Sequence, residues 1–338
     1  MVFDAIIGQE RPARFLTQML EKRSIPTALL FTGVDGIGRQ RTAITLGMAL
    51  NCPNPVGVSA CGKCASCRKI ISGSHPDMVT VEPDGVFIKI NQVRDISRQL
   101  RFAPLEGGWR IMIINDAQAM NLEASNAMLK ILEEPPKHTI FILTASQTTD
   151  LLPTIVSRCQ QIAFRPIPHE KVAQLLIEDR GLDRQTARTL AITTKGSLGK
   201  ALSMDVEKWK AWRSSLVEQI STLSGETIQP LFAFAETLSG AKDRLADALE
   251  MIMMWFRDVL MFKVTPDRII NEDFEAKLRL ASQRESVSSL LEKVEAVHSA
   301  QKALEAVHSA QKALSKNANA RLTIEVMLLH LRRGDGRN

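Results

Sequence analysis

The 338-residue chain has no tyrosine, 5% aromatic residues and only five cysteines. The missing tyrosine excludes no class of function. The lack of long apolar runs does, because nothing approaches the roughly 20 residues a helix needs to cross a bilayer. The opening MVFDAIIGQE has no basic region followed by an apolar stretch and does not read as a secretory signal. A cytoplasmic protein is expected. There is no HExxH, no Ser-His-Asp constellation and no paired-carboxylate motif, and the six histidines fall outside metal-ligand spacing. No residue is singled out as a nucleophile or general base.

What is present fits a globular chain of two or three domains: 45% hydrophobic and 24% charged residues over this length. The net charge of +6 permits nucleic-acid contact without demanding it. Solvated Lys and Arg faces account for the same number.

A glycine-spaced loop follows an apolar run. Ala28–Thr32 (ALLFT) reads as a buried strand, Gly33–Gln40 (GVDGIGRQ) keeps the G-x-x-x-x-G spacing of a phosphate loop, and Arg41–Leu50 carries apolar residues at helical spacing. Strand, loop and helix together separate a phosphate loop from an ordinary glycine turn. Gly33, Gly36 and Gly38 are the candidate phosphate-cradling positions, with Arg39 beside them. Arg39 stands where the motif places Lys, and Gln40 where it places Ser or Thr. Gln is a poor ligand for a hard cation, and a guanidinium fork is not a compact ammonium. A second loss lies at the end of the apolar strand Ile111–Ile114, where Asn115 precedes Asp116. The corresponding strand of an active ATPase ends in a magnesium-binding acid. Two independent losses predict no Mg²⁺ site and no turnover. Binding of ATP or a bare phosphate by Gly36, Gly38 and Arg39 stays open.

Cys52, Cys61, Cys64 and Cys67 follow the spacing C-x8-C-x2-C-x2-C. Four thiolates so placed close a tetrahedral shell, so structural Zn²⁺ is expected in preference to a disulfide or redox pair. Lys63, Arg68 and Lys69 make the insert basic, but a structural staple is preferred over a DNA contact.

Asn121–Pro136 (NLEASNAMLKILEEPP) puts Ala124, Met128, Ile131 and Leu132 on one helical face, and the paired prolines stop the helix after Glu134. Thr139–Ala145 reads as another buried strand, and Asp150–Arg158 as a short helix with Pro153 in its first turn. Alternating strands and helices of this length predict a parallel sheet with crossover helices.

These segments carry a resemblance. IIGQE at Ile6–Glu10, ALLFTG before the loop, the four-cysteine insert, ASNAMLKILEEPP at Ala124–Pro136, LLPTIVSRC at Leu151–Cys159, GSLGKAL at Gly196–Leu202 and NARLTIEVMLLHLRR near the end resemble the delta-prime clamp-loader family of bacterial DNA polymerase III, within the AAA+ proteins. The resemblance implies an α/β, AAA+ P-loop core with a parallel sheet, a small helical lid and an all-α C-terminal collar. The boundaries expected are 1–166 for the core with its zinc knuckle at 52–67, 167–205 for the lid, and 206–338 for the collar that joins subunits. It implies a non-hydrolysing stator in a hetero-oligomeric ring, with gamma/tau-type motor subunits, a delta-type subunit, the sliding clamp and primed DNA as partners, and no membrane. Arg158, in the SRC triplet, would then act as an arginine finger in a neighbouring motor's ATP site. The residues alone read it as a surface or helix-capping arginine.

His169–Leu182 reads as a helix closed by Gly181, and residues 170–203 as a three-helix lid in which Lys200 is a solvated helix-start lysine. Trp209, Trp212, Trp255 and Phe256 recur at helical intervals and are read as core rather than as base-stacking platforms. Glu295–Leu304 and Glu305–Leu314 are the same decad, EAVHSAQKAL. Ten residues advance a helix by about 1000°, some 80° short of three turns, so the copies cannot share a face. The duplication is expected to lengthen a collar helix by about 15 Å or to bulge out. His298 and His308 are too far apart in sequence for a one-face metal site. Two rival classes remain. A motor-type AAA+ ATPase is disfavoured by both lost magnesium ligands. A zinc-dependent DNA-binding module is disfavoured because no base-reading helix accompanies the cysteines.

Overall fold

The computed structural model describes residues 3, 6–106, 108–222, 229–240 and 244–313. In chain order the described elements are α1 (Glu10–Glu21), β1 (Ala28–Thr32), α2 (Arg39–Asn51), α3 (Ala65–Ile71), β2 (Met78–Val81), α4 (Ile90–Gln99), β3 (Arg110–Ile114), α5 (Leu122–Glu133), β4 (Thr139–Ala145), α6 (Pro153–Val156), β5 (Gln160–Ala163), α7 (His169–Arg180), α8 (Arg184–Thr193), α9 (Leu198–Ser203), α10 (Val206–Thr222), α11 (Gln229–Gly240), α12 (Leu245–Val264), α13 (Glu275–Arg284) and α14 (Val287–Ala313). The chain divides into two compact units: residues 1–172 with 194–202, and residues 173–193 with 203–338.

The first unit is built on a five-stranded parallel sheet in the order β2-β3-β4-β1-β5. Every residue of β3 and β4 is buried, the pattern of strands covered on both faces. Side chains alternate accordingly. Leu30, Met112, Ile114, Phe141 and Leu143 pack on one face with Val93 and Ile96 of α4, Ala124 and Met128 of α5, and Ile155 of α6. Leu29, Phe31, Ile111, Ile113, Ile140 and Ile142 pack on the other with Leu16 and Met19 of α1 and Ala43 and Leu46 of α2. This is the expected α/β architecture. Because all strands run the same way, the residues just past β1, β2, β3 and β4 emerge on one rim, where open parallel sheets bind ligands. Helix α5 is capped at its start: the Asn121 side chain accepts from the Ala124 N–H at 2.8 Å.

The second unit is helical. Helix α12 is its centre, with Leu249, Ile252, Trp255, Phe256 and Val259 all buried. Trp209 is buried too and Trp212 is half-buried, as core packing requires. Asp258 lies fully buried among these apolar residues. It accepts from the backbone N–H groups of Ile270 (2.9 Å) and Asn271 (2.7 Å) and from Asn271 Nδ2 (2.8 Å), and Arg257 caps its second oxygen at 2.6 Å. Asn271 Oδ1 in turn accepts from Arg213 Nη2 at 2.6 Å, so one carboxylate fixes the turn after α12 and ties it to α10. Burial pushes the Asp258 carboxyl above its ordinary value against these hydrogen bonds. Helix α14 runs without a break through the first EAVHSAQKAL copy and on to Ala313 in the second, with Val297 and Ala300 of the first copy buried. Of the two alternatives for the duplication, this is the lengthened helix; Leu314 lies outside the described residues. Among the described residues no helix is long and apolar enough to cross a membrane.

Candidate functional site

Gly33–Gly38 forms the turn between β1 and α2 at the carboxyl rim of the sheet, and Arg39 and Gln40 open the helix. Gly33 has φ +141°, and a Cβ there would lie 2.7 Å from the Phe164 carbonyl oxygen and 2.7 Å from Ile37 Cδ1. Its N–H donates to the carbonyls of Ala145, which ends β4, and of Ser146 just past it, both at 3.1 Å. Gly38, at φ +101°, is the N-cap of α2. Gly36 has φ +73° and faces α9: the Gly199 N–H donates to the Gly36 carbonyl at 2.8 Å, and a Cβ on Gly36 would sit 2.3 Å from Ser197 Oγ. The GSLGK segment therefore clasps the loop, with the Ser197 hydroxyl overlapping any Cβ at residue 36 and the Lys200 backbone nitrogen 3.0 Å from it.

The Arg39 side chain folds inward and does not extend from the loop. Its guanidinium turns toward the sheet and is only 5% exposed. Nη1 donates to the Ala145 carbonyl at 2.6 Å, and Nη2 lies 3.6 Å from Asp35 Oδ1. Burial lowers its pKa from the ordinary arginine value, opposed by Asp35 and Asp116. The other altered positions also find protein partners. Gln40 Nε2 and Asn115 Nδ2 approach the same oxygen, Oε1 of Glu82, at 3.4 and 3.2 Å. Glu82 follows β2, and the β2–β3 register, Val81 opposite Ile114, carries it to Asn115. Two amide N–H donors thus face the one carboxylate, where a divalent cation would need oxygen ligands. Asp116, next along, sits at φ +48° and accepts from Gln118 Nε2 at 3.1 Å. Gly36, Gly38, Arg39, Gln40, Glu82 and Asn115 border a cleft of about 620 Å³.

The four cysteines converge elsewhere. Cys52 ends α2, Cys64 caps α3 and Cys67 lies in its first turn, and all four Sγ atoms lie within 4.8 Å of one another. A tetrahedral ion with Zn–S bonds of about 2.3 Å sets its sulfurs about 3.8 Å apart, so the cluster has the right dimensions. Backbone N–H groups point at three of the sulfurs: Cys61 to Cys52 at 3.2 Å, Cys64 to Cys61 at 3.4 Å and Cys67 to Cys64 at 3.4 Å. The N–H groups of Lys63 and Cys64 draw the Cys61 thiol down to about 6, while burial pushes Cys67 up to about 12. The donor set suits a soft tetrahedral metal and offers no open position.

Arg158 lies two residues past α6, partly exposed. Its Nη2 donates to Glu133 Oε1 at 2.8 Å and its Nη1 to the Thr154 carbonyl at 3.0 Å. Neighbouring Cys159 is buried, and burial raises its thiol to about 11, which leaves it a core residue rather than a nucleophile.

The comparisons with known proteins converge. A family profile described as "DNA polymerase III, delta subunit" matches residues 8–168, and its companion, "DNA polymerase III, delta subunit, C terminal", matches residues 207–333. DNA polymerase III subunit delta' of Pseudomonas aeruginosa is 32% identical over 277 residues, 79% of this chain and 79% of that protein. The chain belongs to the DNA polymerase III delta/delta-prime family of clamp-loader subunits. The delta' subunit of Bacillus subtilis is 29% identical over 289 residues, 83% of this chain and 87% of that protein. The tau subunit of the same organism is 28% identical over 296 residues, and the match spans 51% of its length.

Within this family member Gly36, Gly38 and Arg39 line one cleft, Gly33, outside that lining, packs against Phe164 and Ile37, the cysteines form a second cluster, and Arg158 lies in a third place. Four participants escaped sequence reasoning. Glu82 gave no signal, since it is joined to Gln40 and Asn115 only by strand register. Glu133 sits inside LEEPP, where its partner Arg158 is distant in sequence. Ser197 and Gly199 read as a helix start, and only the fold sets them against Gly36.

Proposed function

We propose that this clamp-loader subunit is the non-hydrolysing stator of its complex, helping load the sliding clamp onto primed DNA during replication. Its partners are gamma/tau-type motor subunits and a delta-type subunit. Residues 1–166 serve as core, 167–205 as lid and 206–338 as the collar that joins subunits, in the cytoplasm. The observation that carries this reading is the pairing of Gln40 and Asn115 with Glu82. Both positions where a motor holds magnesium present amide N–H groups to a carboxylate, and Arg39 is spent on the Ala145 carbonyl. The loop keeps its shape without the ligands that hydrolysis requires.

Cys52, Cys61, Cys64 and Cys67 hold a structural Zn²⁺ that cross-links the end of α2 to the start of α3. Arg158 supplies an arginine finger in trans, stabilising charge on the departing γ-phosphate of a neighbouring motor, an effect worth roughly 10³–10⁵ in rate in other systems. The test is the loader reconstituted with Arg158→Ala. Assembly should persist while DNA-stimulated ATP turnover loses the share of the site beside this chain. Unchanged turnover would refute the finger.

A further inference from the structure

Arg158 and Glu133 are carried by two short elements pinned in the same core. Leu132 and Met128 bury α5 beneath Glu133, while Ile155 and Cys159 bury the chain on either side of Arg158. The backbone under both side chains is therefore anchored, while both side chains reach solvent. Glu133 is the last residue of α5, the helix end whose partial negative charge disfavours a carboxylate. Pro135 and Pro136 follow at once, so the helix cannot extend and the carboxylate cannot move along it. What compensates it is Arg158 Nη2 at 2.8 Å. The Thr154 carbonyl holds Nη1 at 3.0 Å from the other side. These two bonds use two of the five N–H donors of the fork, leaving the rest for an incoming anion.

We infer that Glu133 is a positioning residue for Arg158, holding the guanidinium in one orientation so that its remaining donors meet the γ-phosphate of the neighbouring subunit. The inference rests on the arginine-finger reading above. Glu133 touches no nucleotide; it removes rotamer freedom from a long side chain before the subunits meet, and a pre-organised fork loses less on engagement.

The experiment is ATP turnover by the reconstituted loader with clamp and primed DNA, comparing Glu133→Ala, Glu133→Gln, Arg158→Ala and the double variant, with assembly checked by gel filtration. Because small misplacements of a catalytic group carry large rate costs, Glu133→Ala should remove about half or more of the turnover that Arg158→Ala removes. The effect should fall on kcat, with the KM for ATP unchanged. Glu133→Gln, whose amide oxygen accepts the same N–H, should restore most of it. The double variant should be no worse than Arg158→Ala. Full turnover in Glu133→Ala beside a defective Arg158→Ala would overturn the positioning role and leave the finger standing. Added loss in the double variant would also overturn it, because Glu133 would then act on something else. An Arg158→Ala loader with normal turnover would instead remove the finger reading itself.

Discussion

Replacing Arg39 by alanine separates a structural staple from a phosphate ligand. The guanidinium is nearly fully buried and gives one short, charge-assisted bond to the Ala145 carbonyl. Bonds of this kind contribute about 1.5–3 kcal/mol. The contact to Asp35 adds little, because Asp35 is fully exposed and lies 3.6 Å away. The loss is bounded, because the Ala145 carbonyl still accepts from the Gly33 N–H at 3.1 Å. Removing a desolvated charge also returns part of the cost of burying it. We therefore expect Arg39→Ala to weaken the join between the loop and β4 by about 1.5–3 kcal/mol. In native-state hydrogen exchange, the backbone of residues 28–40 should exchange about 10- to 150-fold faster if that opening is local. Arg39→Lys should recover part of the protection. Exchange unchanged from wild type, combined with weaker binding of ATP or pyrophosphate, would refute the staple and return Arg39 to a ligand role.

Gly36→Ala should cost about 1–2 kcal/mol for the left-handed backbone, plus the overlap with Ser197 Oγ. A fall in melting temperature together with faster exchange in 196–202 would register it, and an unchanged protein would mean that α9 does not clasp the loop. Cys64→Ser should weaken zinc, and metal binding by wild type should release protons and protect residues 52–71 from exchange. Equal zinc content in wild type and variant contradicts the assignment. Asp258→Ala leaves three N–H donors without their acceptor and should destabilise the helical unit by about 3 kcal/mol or more. The pH dependence has a definite sign. Burial raises the folded carboxyl above its ordinary 3.8, so its contribution is complete below that value and is lost as pH rises through the folded value. As pH rises above 3.8, wild type should therefore lose stability relative to Asp258→Asn. A parallel pair of urea-midpoint curves would contradict this.

The parts of the fold legible in the sequence were those where local chemistry and burial agree. Ala28–Thr32 and Thr139–Ala145 are apolar runs covered on both faces, and they are strands with those bounds. The paired prolines marked the end of α5. Two strands escaped. β2 and β5 lie at the sheet edges, where only one neighbour pairs, and MVTV and QQIA carry too little apolar signal. The Asp150–Arg158 helix is shorter than its pattern suggested, since only Pro153–Val156 is α-helical after a 3₁₀ turn at Thr148–Asp150. At the cleft, glycine spacing announced the loop, because positive φ restricts the residue type. Side-chain direction was not legible. That Arg39 points inward, and that Glu82 gathers both amides, depends on register and on contacts between strands far apart in sequence.

On the proposed reading the chain retains a phosphate-loop fold but acts on ATP only through its neighbours. The most direct measurement is Mg²⁺-dependent ATP turnover by the purified, zinc-loaded chain, alone and then with motor subunits, clamp and primed DNA. No turnover is expected from the chain alone, and stimulated turnover is expected in the mixture. Magnesium-dependent hydrolysis by the chain alone would contradict it, and would mean that Gln40, Glu82 and Asn115 rearrange to hold the metal.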